Sequence, residues 1–208
     1  MSLKRQKKIY CKYIKRALDI IFSALLLAFL LLPIFVISVA IRSESEGEII
    51  FKQKRLGRGG RVFVCYKFRT MYKNAPHDTP SSEFCDKDRY ITRTGRFLRR
   101  TSLDEIPQLL NVLKGEMSLV GPRPLISAER EMHEQRMCRG VYSLRPGITG
   151  MAQVNGRNLL CDEDKLTSDT YYLDNVRIWL DIKIIFKTAQ KVIKGEGVNS
   201  KGKDMSVQ

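Results

Sequence analysis

Residues 17–41 form a long apolar run, interrupted by Asp19 and Pro33 and preceded by seven Lys or Arg residues between Lys4 and Arg16. At ~1.5 Å per residue, a helix of that length would cross a hydrocarbon core of ~30 Å, so the run belongs in or on a membrane. The far side is basic as well, at Arg42, Lys52, Lys54, Arg55, Arg58 and Arg61, so neither flank reads as the outer one. Entry and exit by one face would resolve the conflict. Pro33 supplies a break, because it deletes a backbone hydrogen bond; proline is also tolerated in spanning helices, so both topologies stand. Ser38-Val39-Ala40 has a small-x-small form, but the run is too long and proline-interrupted for a cleavable leader.

Beyond this run the period changes. Residues 49–55 and 61–68 alternate apolar with basic positions around Gly57-Arg58-Gly59-Gly60, which predicts a β-hairpin. No helix clearly follows those glycines and no Lys-Ser/Thr closes them, so they read as a turn rather than a phosphate loop. Residues 75–82, rich in Pro, Asp, Ser and Thr, predict a mobile loop. A helix is expected through Leu109, Leu110 and Val112, stopping near Gly115. Further on, Trp179, Ile182, Phe186, Ala189 and Ile193 share one helical face, and Lys183, Lys187, Lys191 and Lys194 share another. That helix suits either docking onto the core or lying on an anionic membrane. Residues 195–208 read as a disordered tail.

Length and composition narrow the class. The 208 residues allow one domain with a core plus an appendage, and no repeat is visible. With 37 Lys+Arg against 22 Asp+Glu, the net charge is +15 and the sequence pI about 9.8. An anionic partner follows: nucleic acid, anionic lipid or a phosphorylated substrate. Cys11, Cys65, Cys85, Cys138 and Cys161 are odd in number and form no C-x-x-C pair, which argues against a disulfide framework or zinc site and fits a reducing cytoplasm. His77 and His133 are far apart, and both read as ordinary surface or packing residues.

The chemistry concentrates at Thr101-Ser102-Leu103-Asp104-Glu105-Ile106-Pro107, where two adjacent carboxylates follow Arg89, Arg93, Arg96, Arg99 and Arg100. Ser102 and Glu105 would make a capping box with no further function. That register sets Pro107 at the fifth helical position, where its ring meets the Leu103 carbonyl. A start at Asp104 leaves Pro107 in the first turn, so Asp104 is expected as the N-cap. There the helix dipole would keep it ionised at neutral pH, and an ionised, pre-positioned Asp can be a nucleophile; a plain cap is the alternative. Arg123 in Gly121-Pro122-Arg123-Pro124 and Arg145 in Arg145-Pro146-Gly147 sit beside prolines, which lowers the entropy lost on gripping an anion; each is also at home as a structural residue. Lys67 and Arg69 in Lys67-Phe68-Arg69-Thr70-Met71 would aim cations at such a site or remain solvated.

Taken in order, these segments resemble the small monotopic phosphoglycosyl transferases, a bacterial sugar transferase family. The resemblance covers residues 15–194. It is carried by Lys15-Arg16-Ala17-Leu18-Asp19, by Phe51-x-Gln53-x-Arg55-x-Gly57, by Lys67-Phe68-Arg69-Thr70-Met71, by the run from Thr94 to Gln108, by Leu119-Val120-Gly121-Pro122-Arg123-Pro124 and by Arg145-Pro146-Gly147-Ile148-Thr149-Gly150. The central run is highly specific, and the others are weak singly. The resemblance implies transfer of a phosphosugar from a UDP-sugar to undecaprenyl phosphate, with Mg²⁺, at the cytoplasmic face of the bacterial inner membrane. It implies Asp104 as nucleophile, Glu105 positioning Mg²⁺ or the dyad, and Arg99, Arg123 and Arg145 on phosphate, with Lys67 and Arg69 as further candidates.

The implied fold is α+β: a mostly helical single domain with a small β-hairpin, a re-entrant membrane helix and interfacial amphipathic helices. The expected divisions are a basic segment at 1–16, a re-entrant helix at 17–41 broken at Pro33, a catalytic domain at 42–194 and the tail. Many family members have Ser-Pro at the break, whereas this chain has Leu32-Pro33 and lacks that hydroxyl. Two rivals are a membrane-anchored nucleic-acid-binding protein, which lacks a recognisable reading helix or aromatic platform and leaves Asp104 and Glu105 unexplained, and an inactive scaffold for glycan enzymes. No nucleic-acid partner is therefore expected.

Overall fold

The computed structural model describes residues 9–75, 87–156 and 160–194. His77, the greater part of the loop at 75–82, the first eight residues of the basic segment and the tail at 195–208 lie outside the described residues. What is described is mostly helical with two small sheets, the α+β class that the periodicities and the resemblance imply.

A π-helical turn at Tyr10–Ile14 runs into α1 (Lys15–Phe29), and α2 (Leu31–Glu44) follows. The two helical stretches are bent by 62°, and no single helix among the described residues is long and apolar enough to cross a membrane. The break falls at Leu30, three residues before the expected Pro33. Pro33 accounts for the offset: in a continuous helix its ring would meet the Phe29 carbonyl, so the chain yields one turn earlier and Pro33 occupies the first turn of α2, where a missing donor costs little. On the inner side Leu27, Leu30, Ile34, Ile37 and Ile41 join a cluster with Phe68, Leu98, Ile106 and Leu109. On the outer side Phe22, Leu25, Phe29, Leu32, Phe35 and Val39 are exposed.

The predicted hairpin is present: β1 (Ile50–Leu56) pairs antiparallel with β2 (Val62–Phe68), Ile50 opposite Phe68 and Leu56 opposite Val62. Its turn uses Gly59 and Gly60 at φ 68° and 72°, which is turn chemistry. After a helical turn, α3 (Lys87–Tyr90), come α4 (Arg93–Thr101) and α5 (Gln108–Lys114), the latter ending at Gly115 with φ 86° as expected. Asn111, fully buried on α5, accepts from the Tyr66 N–H at 3.1 Å and donates to the Val64 carbonyl at 2.7 Å. Its amide thus takes the place of a neighbouring strand at the edge of β2.

The two proline turns meet. β3 (Ser118–Val120) and β4 (Gly147–Thr149) pair in parallel, and a Cβ at Gly147 would lie 2.1 Å from the Gly121 nitrogen, so only glycine permits this approach. α6 (Arg130–Cys138), the helical turn α7 (Met151–Asn155) and α8 (Asp162–Asn175) complete this side. The buried Arg136 of α6 pairs with the buried Asp169 of α8 at 2.5 Å. His133 packs between the Tyr142 hydroxyl and the Ile126 carbonyl, as a packing residue should.

The last helix, α9 (Ile178–Lys194), docks through Leu180, Asp181 and Ile184, with Thr188 bonded to Thr149 at 2.7 Å. Asp181 accepts from Tyr10 and Tyr172 hydroxyls at 2.7 and 2.6 Å and from Lys15 at 2.7 Å, tying the start of the chain to its last helix. The stripe Trp179, Ile182, Phe186 and Ile193 stays exposed. Docking and an outward apolar face therefore coexist on α9, on different sides.

Candidate active site

α4 begins where Thr92 Oγ1 accepts the Gly95 N–H at 2.9 Å, and it ends at Ser102, φ 58°, in the left-handed region. Among the described residues Ser102 is the non-glycine with positive φ, a conformation costing about 1 kcal/mol. The chain turns there into a single 3₁₀ turn, Leu103–Glu105, before Pro107 opens α5. Leu103 and Ile106 pack into the cluster that holds Ile41 and Leu98, which fixes the turn from both sides of the carboxylates.

Asp104 is thus not the N-cap of the following helix, and Ser102 makes no side-chain cap with Glu105. The short turn lets Pro107 lead α5 without a clash, as the Asp104 register also would, but it sets Asp104 ahead of that helix instead of at its N-cap. The electrostatic expectation changes with it. Burial pushes the Asp104 carboxyl up, Lys67 pulls it down, Glu105 pushes it up again, and Arg99 and Arg123 oppose; the balance is a raised value. Asp104 lies within the 3₁₀ turn and not at the N-cap of α5, so it does not take the capping place that was expected to hold it low.

Lys67, at the end of β2, places Nζ 2.7 Å from Glu105 Oε1 and 3.8 Å from Asp104 Oδ2. Arg123 Nη1 lies 3.7 Å from Glu105 Oε1. Arg99 donates from Nε to Thr70 Oγ1 at 2.8 Å. Four of the expected site residues, Lys67, Asp104, Glu105 and Arg123, are thus brought into direct ionic contact, with Arg99 beside them.

The other two are held elsewhere. Arg69 donates to the carbonyls of Ser45 and Glu46 at the end of α2. Arg145 donates from Nε to the Gly115 carbonyl at 3.0 Å, at the far end of α5, where burial followed by Arg16 and Arg58 lowers its pKa. Arg16 shares that helix end, bonding the Val112 and Leu113 carbonyls.

Some site-building residues were not singled out by their chemistry. Arg55 donates to the Pro124 carbonyl at 2.8 Å and to Gln53 Oε1 at 3.1 and 2.6 Å. Arg136 donates to the Arg123 carbonyl at 2.7 Å. Arg123 therefore projects from a backbone held by two guanidinia, that of the buried Arg136 and that of the partly buried Arg55. Burial and the neighbouring Arg123 bring Arg55 down to about 10, so it remains a cation at neutral pH. Gln53 and Arg55 carried part of the family resemblance, which was the available signal; Arg136 and Asn111 had none.

Two carboxylates ringed by cations make a site for an anion that brings its own positive counter-ion. Among the described residues there is no group of three His, Cys, Asp or Glu that would cage a metal. Asp104 and Glu105 nevertheless fit Mg²⁺, which is commonly held by one or two carboxylates together with water and substrate phosphate oxygens.

The model of the family described as "Bacterial sugar transferase" matches residues 10–195. A UDP-galactose-lipid carrier transferase of Erwinia amylovora is 41% identical over 200 residues, covering 89% of this chain and 42% of its own length. An uncharacterized sugar transferase, EpsL, of Bacillus subtilis is 40% identical over 185 residues, covering 89% of this chain and 90% of its own. An undecaprenyl-phosphate galactose phosphotransferase of Salmonella typhimurium is 40% identical over 203 residues, at 89% and 42%. The chain thus spans less than half the length of the first and third of these relatives. With nearly every described residue inside the family match and a relative 40% identical that the chain covers almost from end to end, the chain belongs to the bacterial sugar transferase family.

Proposed function

We propose that the protein transfers a phosphosugar from a UDP-sugar to undecaprenyl phosphate, releasing UMP, through a covalent aspartyl-phosphosugar intermediate. The observation that carries this reading is the adjacent pair Asp104 and Glu105 held against Lys67 and Arg123 in the middle of the family match. The names of relatives that act on undecaprenyl phosphate support the donor and acceptor.

In the first step an Asp104 carboxylate oxygen attacks the β-phosphorus of the UDP-sugar, and the bond to the α–β bridging oxygen breaks with its electrons going to UMP. In the second, a phosphate oxygen of undecaprenyl phosphate attacks the same phosphorus. The acyl-phosphate bond breaks, and Asp104 is regenerated as a carboxylate. A carboxyl raised by burial is the more basic, and hence the better nucleophile, once ionised. Lys67, Arg99 and Arg123 neutralise charge as anion attacks anion. Asp104 and Glu105 would hold Mg²⁺, which supplies further neutralisation of the diphosphate. The covalent relay lets a soluble donor and a membrane acceptor use one site in turn.

The bent pair α1–α2 serves as a re-entrant anchor at the cytoplasmic face of the inner membrane. Its exposed outer face, the basic residues on both flanks and the 62° bend support that topology. The exposed stripe of α9 suits the same interface.

The test is UMP release by the purified protein given Mg²⁺, undecaprenyl phosphate and a panel of UDP-sugars, beside Asp104→Asn. Lipid-dependent release with one donor, lost in the variant, is the expected result; silence of folded wild-type protein across a broad panel overturns the proposal.

A further inference from the structure

The carboxyl end of α2 is tied to two other segments by charged side chains that the transfer chemistry does not use. Arg69, two residues beyond Lys67, donates from Nη1 to the Glu46 carbonyl at 2.9 Å, and from Nη2 to the Ser45 carbonyl at 2.6 Å and hydroxyl at 2.9 Å. Carbonyls at a helix end lack partners and carry the negative end of its dipole, and a guanidinium answers both needs. Glu44, the last residue of α2, accepts the Arg93 N–H at 2.6 Å and the Thr94 N–H at 2.9 Å, two of the free donors that open α4. At its other end α4 delivers Ser102 and the turn that carries Asp104 and Glu105.

The same segments are zipped together elsewhere. The Thr92 N–H bonds the Thr70 carbonyl at 3.1 Å, and the Tyr72 N–H bonds the Tyr90 carbonyl at 2.9 Å. A Cβ at Gly95 would lie 2.1 Å from the Thr70 carbonyl oxygen, so α4 sits directly on the exit of β2. Beneath them Ile41 of α2 shares one cluster with Leu98 and Ile106, and Leu103 packs against it. A shift of α2 therefore has stiff, close-packed routes to both halves of the site.

We infer that Glu44 and Arg69 are positioning residues through which the seating of α2 sets the spacing of Lys67 from Asp104 and Glu105. Arg69 fixes the end of the strand that bears Lys67. Glu44 fixes the helix whose far end presents the carboxylates. The effect on rate rests on the transferase reading; the coupling itself rests on the hydrogen bonds and packing. An anchor out of the bilayer would leave the site slack, which ties turnover to the membrane where the acceptor resides.

The test uses the full chain in lipid nanodiscs, comparing wild type with Glu44→Ala and Arg69→Met and with the conservative Glu44→Gln, which keeps one acceptor, and Arg69→Lys. Steady-state UMP release and amide hydrogen exchange are read together. The Ala and Met variants are expected to lose kcat by about tenfold or more, because small misplacements of reacting groups are costly, with KM for the UDP-sugar within about twofold. Exchange at residues 103–106 is expected to quicken while α8 stays unchanged, and the conservative variants are expected to recover part of both effects. Wild-type kcat in Glu44→Ala and Arg69→Met overturns the inference, as does faster exchange spread through the whole domain. If wild-type protein releases no UMP, the transferase reading fails on its own account. Exchange at residues 103–106 then decides the coupling, and an unchanged rate there in both variants overturns it.

Discussion

Lys67 Nζ lies 2.7 Å from Glu105 Oε1, joining the end of the hairpin to a turn 38 positions later in the chain. The pair is mostly shielded from water, with side chains 20% and 16% exposed. The same ammonium stands 3.8 Å from Asp104, so one cation serves two adjacent carboxylates.

Removing that cation should therefore do more than delete a contact. Lys67→Met leaves Asp104 and Glu105 facing each other with Arg99 and Arg123 as compensation, which raises Asp104 further and strips charge stabilisation from the transition state. The expected outcome is a fall in kcat for UMP release of about 100-fold, with partial recovery in Lys67→Arg. Near-wild-type turnover in Lys67→Met would remove Lys67 from the machinery.

Asn111 offers a stability test away from the charges. Asn111→Ala orphans the Val64 carbonyl and the Tyr66 N–H at the edge of β2, where unmade buried hydrogen bonds cost ~1–3 kcal/mol each. A Tm lower by roughly 10 °C in detergent is expected, at about 2–4 °C per kcal/mol for a chain of this size. A shift below the scatter of replicate melts would mean that water replaces the amide without loss.

Glu44 carries a pH signature. Burial pushes its carboxyl up, but hydrogen bonds from Thr94, Arg93 and Thr92 outweigh this and hold it below the usual 4.5. As pH falls, the unfolded chain takes up that proton before the folded one, so the stabilisation is present above 4.5 and lost below it. The Tm gap between wild type and Glu44→Gln should be steady from pH 7 to about 5 and narrow as pH falls further. A gap independent of pH would show that the carboxylate charge plays no part in capping α4.

Topology is open to direct labelling. Lys12→Cys and Glu48→Cys, placed before and after the bent pair in a cysteine-free background, should react with an impermeant maleimide from the same membrane side. Labelling from opposite sides would establish a span and move the site away from the re-entrant arrangement.

Much of this molecule is written locally. The hairpin follows from two alternating stretches around a glycine turn, and α5 stops at Gly115 because glycine adopts φ 86° freely. Asp104 and Glu105 stood out because acids are unusual behind a line of arginines. The register of their turn was not legible, because a left-handed Ser102 is held there by Leu103 and Ile106 in a core built from α2, β2 and α4. The bend at Leu30 was displaced from Pro33 for a similarly local reason, since the ring acts on the carbonyl four residues upstream.

The sequence by itself determined the hairpin, α5 and α9, the long apolar run, the family and the two carboxylates, because helix and strand periods, glycine turns and proline sterics act over a few residues. The tertiary structure alone decided which cations meet those carboxylates. Lys67 and Arg123 reach Glu105, whereas Arg69 closes the end of α2 and Arg145 closes the end of α5. Each guanidinium or ammonium has the same local chemistry, and only the packing that brings distant backbone ends together assigns it to a helix terminus or to the site.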